Sequence, residues 1–267
     1  MSTETLGPAP DAVIAAAARW VWVPPGTEQI TTDDYRLTHF AGYSSVQWSG
    51  TVRDLDDVVD EAVSAANEAG SHRLRWWITD RTVPFDTPGA LVARGFSHVE
   101  TVEIMALGLR DARAVAMEEQ QAPPGVDVVE VNDKEALRVA DELGATVFEW
   151  PRLTEEQLDA ELTEIRAGTN AAWHVRRYLA LVDGVPAASA GATLDGDALR
   201  LWGGATVPER RRRGAYRALV ARRLLDGAGT GASFALVKAV DSTSAPILRR
   251  LGFETFGHEH CFQRPLP

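Results

Sequence analysis

The 267-residue sequence contains one cysteine, Cys261. An intrachain disulfide framework is therefore excluded, and so are metal sites built on several thiolates. Positive charge is also scarce: 27 lysines and arginines stand against 38 aspartates and glutamates, a formal net charge of -11. Such a body repels nucleic acid and anionic membranes at long range. No apolar run is long enough to cross a bilayer. The stretch MSTETLGPAPDAVIAAAARW lacks the basic start of a secretory signal, and its apolar part is short and alanine-rich. The expectation is a cytoplasmic protein with neither a nucleic-acid nor a membrane partner. Hydrophobic residues make up 45%, ordinary for a core-forming chain. The length admits one large domain or two smaller ones.

Patterning divides the chain near residue 120, where EEQQAPPGV (Glu118–Val126) is polar and proline-containing and reads as a linker. Beyond it, VDVVEV (Val126–Val131) predicts a short strand, and NDKE (Asn132–Glu135) a capping box. Helical spacing follows through Val147, with Pro151 as the breaker. TEEQ (Thr154–Gln157) caps a second helix that ends near Gly168. Three strands follow, joined by turns at Asp183-Gly184 and Asp195-Gly196. A helix from about Gly214 to Leu225 comes next, with Arg222 inside its apolar stripe. The strand Phe234–Val240, a short helix stopped by Gly252 and the strand Phe256–Gln263 complete the chain. The order is β, α, α, β, β, β, α, β, α, β, an α/β chain with a mixed sheet.

The first half echoes the second. ALVARGFSHVETVEI (Ala90–Ile104) and PILRRLGFETFGHEH (Pro246–His260) each end a helix at Gly-Phe and enter a strand. LRWWITD (Leu74–Asp80) likewise matches FALVKAVD (Phe234–Asp241). A half-copy of one unit is the expectation, although Gly-Phe after a helix is also a common terminal closure.

The densest basic segment is VPERRRRGAYRALV (Val207–Val220), four consecutive arginines and a glycine ahead of a helix. A nucleic-acid patch, a solvated turn and a phosphate cradle are the three readings. The overall charge and the lack of interleaved aromatics oppose the first. The first amides of a helix lack intrahelical partners and carry the positive end of its dipole. With a glycine that lets a ligand approach, they form a phosphate site, and flanking guanidiniums can neutralise a diphosphate.

This junction resembles the acyl-CoA-binding motif Arg/Gln-x-x-Gly-x-Gly/Ala of the GNAT superfamily of N-acyltransferases. Arg211 takes the first position, Gly214 the glycine, and Tyr216 the last, where the family usually has Gly or Ala. The element order and LRRLGF (Leu248–Phe253) resemble the family too. The resemblance implies an acyl-CoA N-acyltransferase fold over 126–267, a linker at 118–125 and a degenerate GNAT-like copy over 1–117. It implies acetyl-CoA as co-substrate and an amine of a small molecule or protein as acceptor. Ala205, Thr206 and Val207 would line the pantetheine arm, and Arg211, Arg212, Arg213, Gly214, Ala215 and Tyr216 would hold the diphosphate. A backbone N–H on the Gly203–Val207 strand would stabilise the oxyanion.

An alkyl amine with a pKa near ~10 is mostly protonated at neutral pH, so transfer needs a base. The candidates are Glu149 in VFEWPRL and His260 in HEHCF. The position of the tyrosine acid common in the family falls on Leu248, and a nearby asparagine position on Asp241. These departures motivate an alternative, a catalytically silent acyl-CoA-binding or regulatory protein. His258 and His260 have ligand-like spacing on a strand but no third partner, so no metal is expected.

Overall fold

The computed structural model describes residues 7–21, 23, 27–110, 124–167 and 174–267. Residues 118–123 of the expected linker lie outside these, as does Gly168. The chain forms two compact units. The first comprises Ala18–Ile104, Ala239–Ala245 and Phe256–Pro267; the second comprises Met1–Ala17, Met105–Lys238 and Pro246–Thr255. The first helix, α1 (Pro10–Arg19), buries Val13, Ala16 and Ala17.

In the first unit, β1 (Gln29–Thr31), β2 (Tyr35–Phe40), β3 (Tyr43–Ser49) and β4 (Arg73–Thr79) lie side by side with the last strand, β11 (Glu254–Pro265). β3 and β4 are parallel, because α2 (Leu55–Glu68) crosses between them. β11 pairs antiparallel with β4 from Glu259↔Thr79 to Pro265↔Arg73. α3 (Thr87–Ala93) and β5 (Ser97–Gly108) follow β4. Leu37, Val46, Val59, Leu74, Trp76 and Leu91 are fully buried at the centre of this unit.

Asp34 is buried beside that core. Thr51 Oγ1 donates to its Oδ1 at 2.6 Å and Arg53 Nη1 to its Oδ2 at 2.9 Å. The Thr51 hydrogen bond, then the one from Arg53, holds the Asp34 carboxyl below its ordinary range. A depressed folded-state pKa stabilises above the unfolded value near ~3.9 and is lost as pH falls through the folded value. Asp34→Asn is therefore expected to remove part of the acid-side loss of stability. The check is denaturant unfolding of both proteins from neutral pH down to about pH 3: the gap between them should narrow as pH falls, and a constant gap would refute the linkage.

In the second unit, strands join in the order β10-β9-β8-β7-β6: β6 (Val126–Glu130), β7 (Val175–Val182), β8 (Val185–Asp195), β9 (Ala198–Thr206) and β10 (Phe234–Val240). The first four in chain order pair antiparallel, and β10 joins β9 in parallel. The β7–β8 turn has Asp183 and Gly184 both at positive φ, 53° and 76°, as a tight hairpin of this twist requires. The second turn uses Gly196 and Asp197, one residue later than the sequence pattern places it.

α4 (Lys134–Phe148) is capped by Asp133, whose Oδ1 accepts from the Ala136 N–H at 2.8 Å. The cap is thus a single Asp. α5 (Glu155–Ala167) has the reciprocal capping box that TEEQ predicts: Gln157 N–H to Thr154 Oγ1 at 3.3 Å, and Thr154 N–H to Gln157 Oε1 at 2.9 Å. α6 (Ala215–Gly227) and α7 (Ser244–Arg250) complete the helices of the C-terminal order. Alternate β7 residues reach opposite layers. Tyr178 Oη donates to Asp226 of α6 at 2.8 Å, while Arg177 Nη1 donates to Glu161 of α5 at 2.7 Å. The sheet of this unit is therefore covered on both faces, by α4 and α5 on one and α6 on the other.

The Gly-Phe echo has the same backbone closure in both places. Gly95 N–H meets Val92 O at 3.0 Å and Phe96 N–H meets Leu91 O at 3.0 Å; Gly252 N–H meets Arg249 O at 3.1 Å and Phe253 N–H meets Leu248 O at 3.1 Å. Both glycines are left-handed, at φ 83° and 86°. Helices commonly end this way, so the likeness has a local cause as well as any shared descent.

Candidate functional site

β9 is irregular where the sequence reads WGGAT. Its pairing with β8 steps from Ser189↔Ala205 to Gly191↔Trp202, so two residues, Gly203 and Gly204, face Ala190 alone. Gly203 has φ 61°, a conformation that costs glycine nothing. This is a β-bulge, which takes one residue out of the ladder and bends the strand. Ala205 is buried, while Thr206 and Val207 are half-buried at the end of the strand.

The chain then makes a 3-10 turn, Pro208–Arg210, and enters α6 at Gly214. Arg211 Nε donates to the Thr206 carbonyl at 3.1 Å, tying the loop to the strand. Arg212 has φ 63° and Gly214 φ 87°, and Arg213 lies between them without a positive φ. Alternating handedness of this kind curls successive N–H groups into a concave nest for an anion. A non-glycine residue such as Arg212 rarely takes this conformation, and backbone strain of this kind concentrates at functional sites. Gly214 has no side chain to cap α6, so the leading amides of that helix are left to other partners. Arg211, Arg212 and Arg213 are exposed, and Ala215 is buried. Arg213 pairs with Asp183 at 2.7 Å, both side chains about half exposed.

Tyr216 stands where the motif usually has a small residue, and the strand makes room for it. A Cβ on Gly204 would lie 2.7 Å from Tyr216 Cε2. The tyrosine ring therefore rests on the bulge, and Gly204 is what admits it.

The two candidate bases fall in different units. Glu149, in the second, ends α4 in the left-handed conformation, φ 56°, with an exposed side chain. Phe148 and Trp150 flank it, also exposed, with ring centroids 4.6 Å apart. His260, in the first unit, has both ring nitrogens engaged. Nδ1 is 3.1 Å from Thr101 Oγ1 and Nε2 is 3.5 Å from Asp80 Oδ1. Asp80 also accepts the His258 backbone N–H at 2.9 Å. Burial opposes ionisation of Asp80, but the His258 amide and the two imidazoles together outweigh it and lower its pKa. Among the described residues, no group of three or more His, Cys, Asp or Glu is placed to hold a metal. Cys261 is buried, and burial pushes its thiol up to about 12.

Comparisons of the sequence with family profiles and with curated proteins found no match. The backbone has clear relatives. A GCN5-related N-acetyltransferase from Kribbella flavida has a TM-score of 0.65 at 17% identity, over 98% of both chains. One from Sphaerobacter thermophilus has a TM-score of 0.60 at 14% identity, over 90% of this chain and 76% of its own. A tandem GNAT protein from the clavulanic acid biosynthesis pathway, described without AcCoA, has a TM-score of 0.59 at 15% identity, over 98% and 90%. The chain has the GNAT fold.

On this GNAT fold, the strand-to-helix junction of the first unit is chemically unlike that of the second. α2 begins at Asp54, whose own Oδ1 accepts the Asp56 N–H at 2.8 Å. Asp33, Asp34 and Arg81 line a cavity of about 430 Å³ beside it, with Gly50, Thr51, Val52 and Val83. A capped helix start beside two carboxylates disfavours a diphosphate. Leu248, at the family's tyrosine position, is fully buried, and Asp241 is exposed. No helix among the described residues is long and apolar enough to cross a membrane.

One residue at the bulge escaped the sequence reading. Arg222, read as the flaw in the α6 stripe, is half-buried, with its Nε donating to Asp226 at 3.0 and 3.1 Å. The next residue, Arg223, is 2% exposed. An arginine in a basic helix is most simply read as solvated, and no pattern in the sequence separates the two.

Proposed function

We propose that the chain is an acetyl-CoA-dependent N-acetyltransferase acting on a primary amine of a small molecule or protein, with 126–267 as its catalytic domain and 1–117 as a degenerate copy. The observation that carries this reading is the β9–α6 junction: a left-handed, arginine-bearing loop ahead of a helix with no side-chain cap, on a GNAT fold. The diphosphate of the carrier binds the Arg211–Tyr216 amides and guanidiniums, and the pantetheine arm runs along Ala205, Thr206 and Val207. The acceptor nitrogen attacks the thioester carbonyl, the C–N bond forms and the C–S bond breaks. The ammonium proton leaves to a base, and the thiolate departs with the sulfur electrons. A thiol near ~8.5 leaves without strong acid assistance, which suits a site with leucine at the tyrosine position.

Glu149 is the proposed base. It shares the unit of the anion loop and its carboxylate is exposed, whereas His260 is held at both nitrogens. Glu149→Gln is expected to lower turnover about tenfold or more, with acetyl-CoA affinity unchanged. Unchanged turnover would clear Glu149 of the role.

Buried Leu248 favours a second reading, an acyl-CoA binder without turnover. Thermal stabilisation by acetyl-CoA is expected under both readings. Release of free thiol with a panel of primary amines is expected only for the enzyme. Stabilisation with no thiol release from any amine would select the silent binder.

A further inference from the structure

A guanidinium with almost no solvent contact is expensive, because taking a charge out of water costs far more than burying an apolar side chain of the same length. Arg223 is buried to 2% exposure, and among the described residues its hydrogen-bond partners include no carboxylate, while the groups that act on its charge are the hydroxyls of Tyr216 and Tyr178. Its partners are backbone carbonyls. Nε donates to Leu219 O at 3.0 Å, one turn back on α6. Nη1 donates to Gly191 O at 3.0 Å and reaches Trp202 O at 3.4 Å. Gly191 and Trp202 are register partners on β8 and β9, at the edge of the bulge. One nitrogen therefore clamps both strands where the ladder breaks.

The Trp202 carbonyl and the Gly203 amide belong to the same peptide unit. A cation that binds the carbonyl draws electron density from that unit and makes its N–H a stronger donor, an effect that grows in a low dielectric. Support of the bulge alone would need only a neutral donor. A buried cation adds positive potential beneath the strand that would meet the thioester.

We propose that Arg223 is a positioning residue for acyl transfer: its buried guanidinium clamps the carbonyls beside the Gly203–Gly204 bulge, fixes the shape of that bulge, and holds the Gly203 amide polarised toward the developing oxyanion. The role rests on the acetyl-CoA reading above. Arg223 touches neither carrier nor acceptor and acts through the peptide it binds. The charge that forms on the thioester oxygen exists only during reaction, so the contribution falls on kcat and not on carrier affinity.

The test uses the full-length chain with Arg223→Met, which keeps length without charge, and Arg223→Lys, which keeps charge with a different donor geometry. Glycine-selective ¹⁵N labelling reads the Gly203 and Gly204 amides, and titration and turnover are measured in parallel. In Arg223→Met the two amide resonances are expected to shift. Acetyl-CoA affinity should stay within about threefold, and kcat should fall about 10- to 100-fold, less than the loss of an oxyanion donor itself. Arg223→Lys should recover part of the kcat. If Arg223→Met does not fold, Arg223→Lys carries the test: a kcat loss with affinity retained supports the role. An equal loss of affinity and kcat would mark Arg223 as plain structural support and overturn it. Carrier binding with unmoved glycine resonances overturns the role alone. A wild-type chain that binds no acetyl-CoA overturns the acetyl-CoA reading and the role with it.

Discussion

Gly214→Val is expected to weaken acetyl-CoA binding at least about tenfold while the protein stays folded. Gly214 has φ 87° at the start of α6, a conformation that costs an L-residue roughly 1–2 kcal/mol and a β-branched one more. The loop can relieve that strain by moving Gly214 back to negative φ. Doing so reverses the direction of the next amides and opens the nest formed from Arg212 to Gly214. The helix itself is secured by Leu219, Val220 and Leu224, all fully buried, so the damage is local. Arg213→Glu is the charge counterpart. It breaks the pair with Asp183, which is exposed and contributes little, and it sets a carboxylate against the diphosphate. Calorimetric titration with acetyl-CoA, alongside thermal unfolding, checks both. Unchanged affinity in both variants would remove this loop from the carrier site.

Gly191→Ala is expected to destabilise the fold by about 1–3 kcal/mol, the usual cost of overpacking. Gly191 does not have a positive φ, so the backbone accepts alanine and the cost is steric. The new Cβ would lie 2.3 Å from Trp202 Cζ2. The indole cannot simply swing aside, because its Nε1–H donates to Thr193 Oγ1 at 2.8 Å and the Arg177 guanidinium lies 5.2 Å from its ring centroid. At roughly 2–4 °C per kcal/mol for a chain of this size, the unfolding midpoint should fall by about 2–12 °C. A double-mutant cycle with Trp202→Ala separates the clash from other causes. In the Trp202→Ala background the penalty should vanish, and a penalty that persists there would rule out the indole as its source.

The order of elements from Val126 onward was legible because each signal is local. Asp183-Gly184 sets its own hairpin, Thr154 and Gln157 cap each other, and Gly252 ends its helix, all within a few residues of sequence. The arginine loop was legible for the same reason, since amides at a helix start depend on nothing distant. The bulge was not: two glycines in a strand mark a weak point, but only pairing with β8 shows where the register slips. The partners of His260 were equally hidden, because Asp80, just past the end of β4, and Thr101, on β5, lie about 160 to 180 residues away in the chain. His260 therefore sat among the candidate bases although both of its nitrogens are taken.

Composition and local pattern alone settled the mixed α/β element order, the absence of a cysteine framework and the place of one basic loop on an acidic body. They did so because charge count, capping and turn chemistry are properties of neighbouring residues. Tertiary structure decided which arginine goes inside, where the β9 register slips, and which strand β11 joins. Those are outcomes of pairing and burial between segments remote in sequence: Arg222 and Arg223 are adjacent and chemically identical, and only the sheet beneath α6 tells them apart.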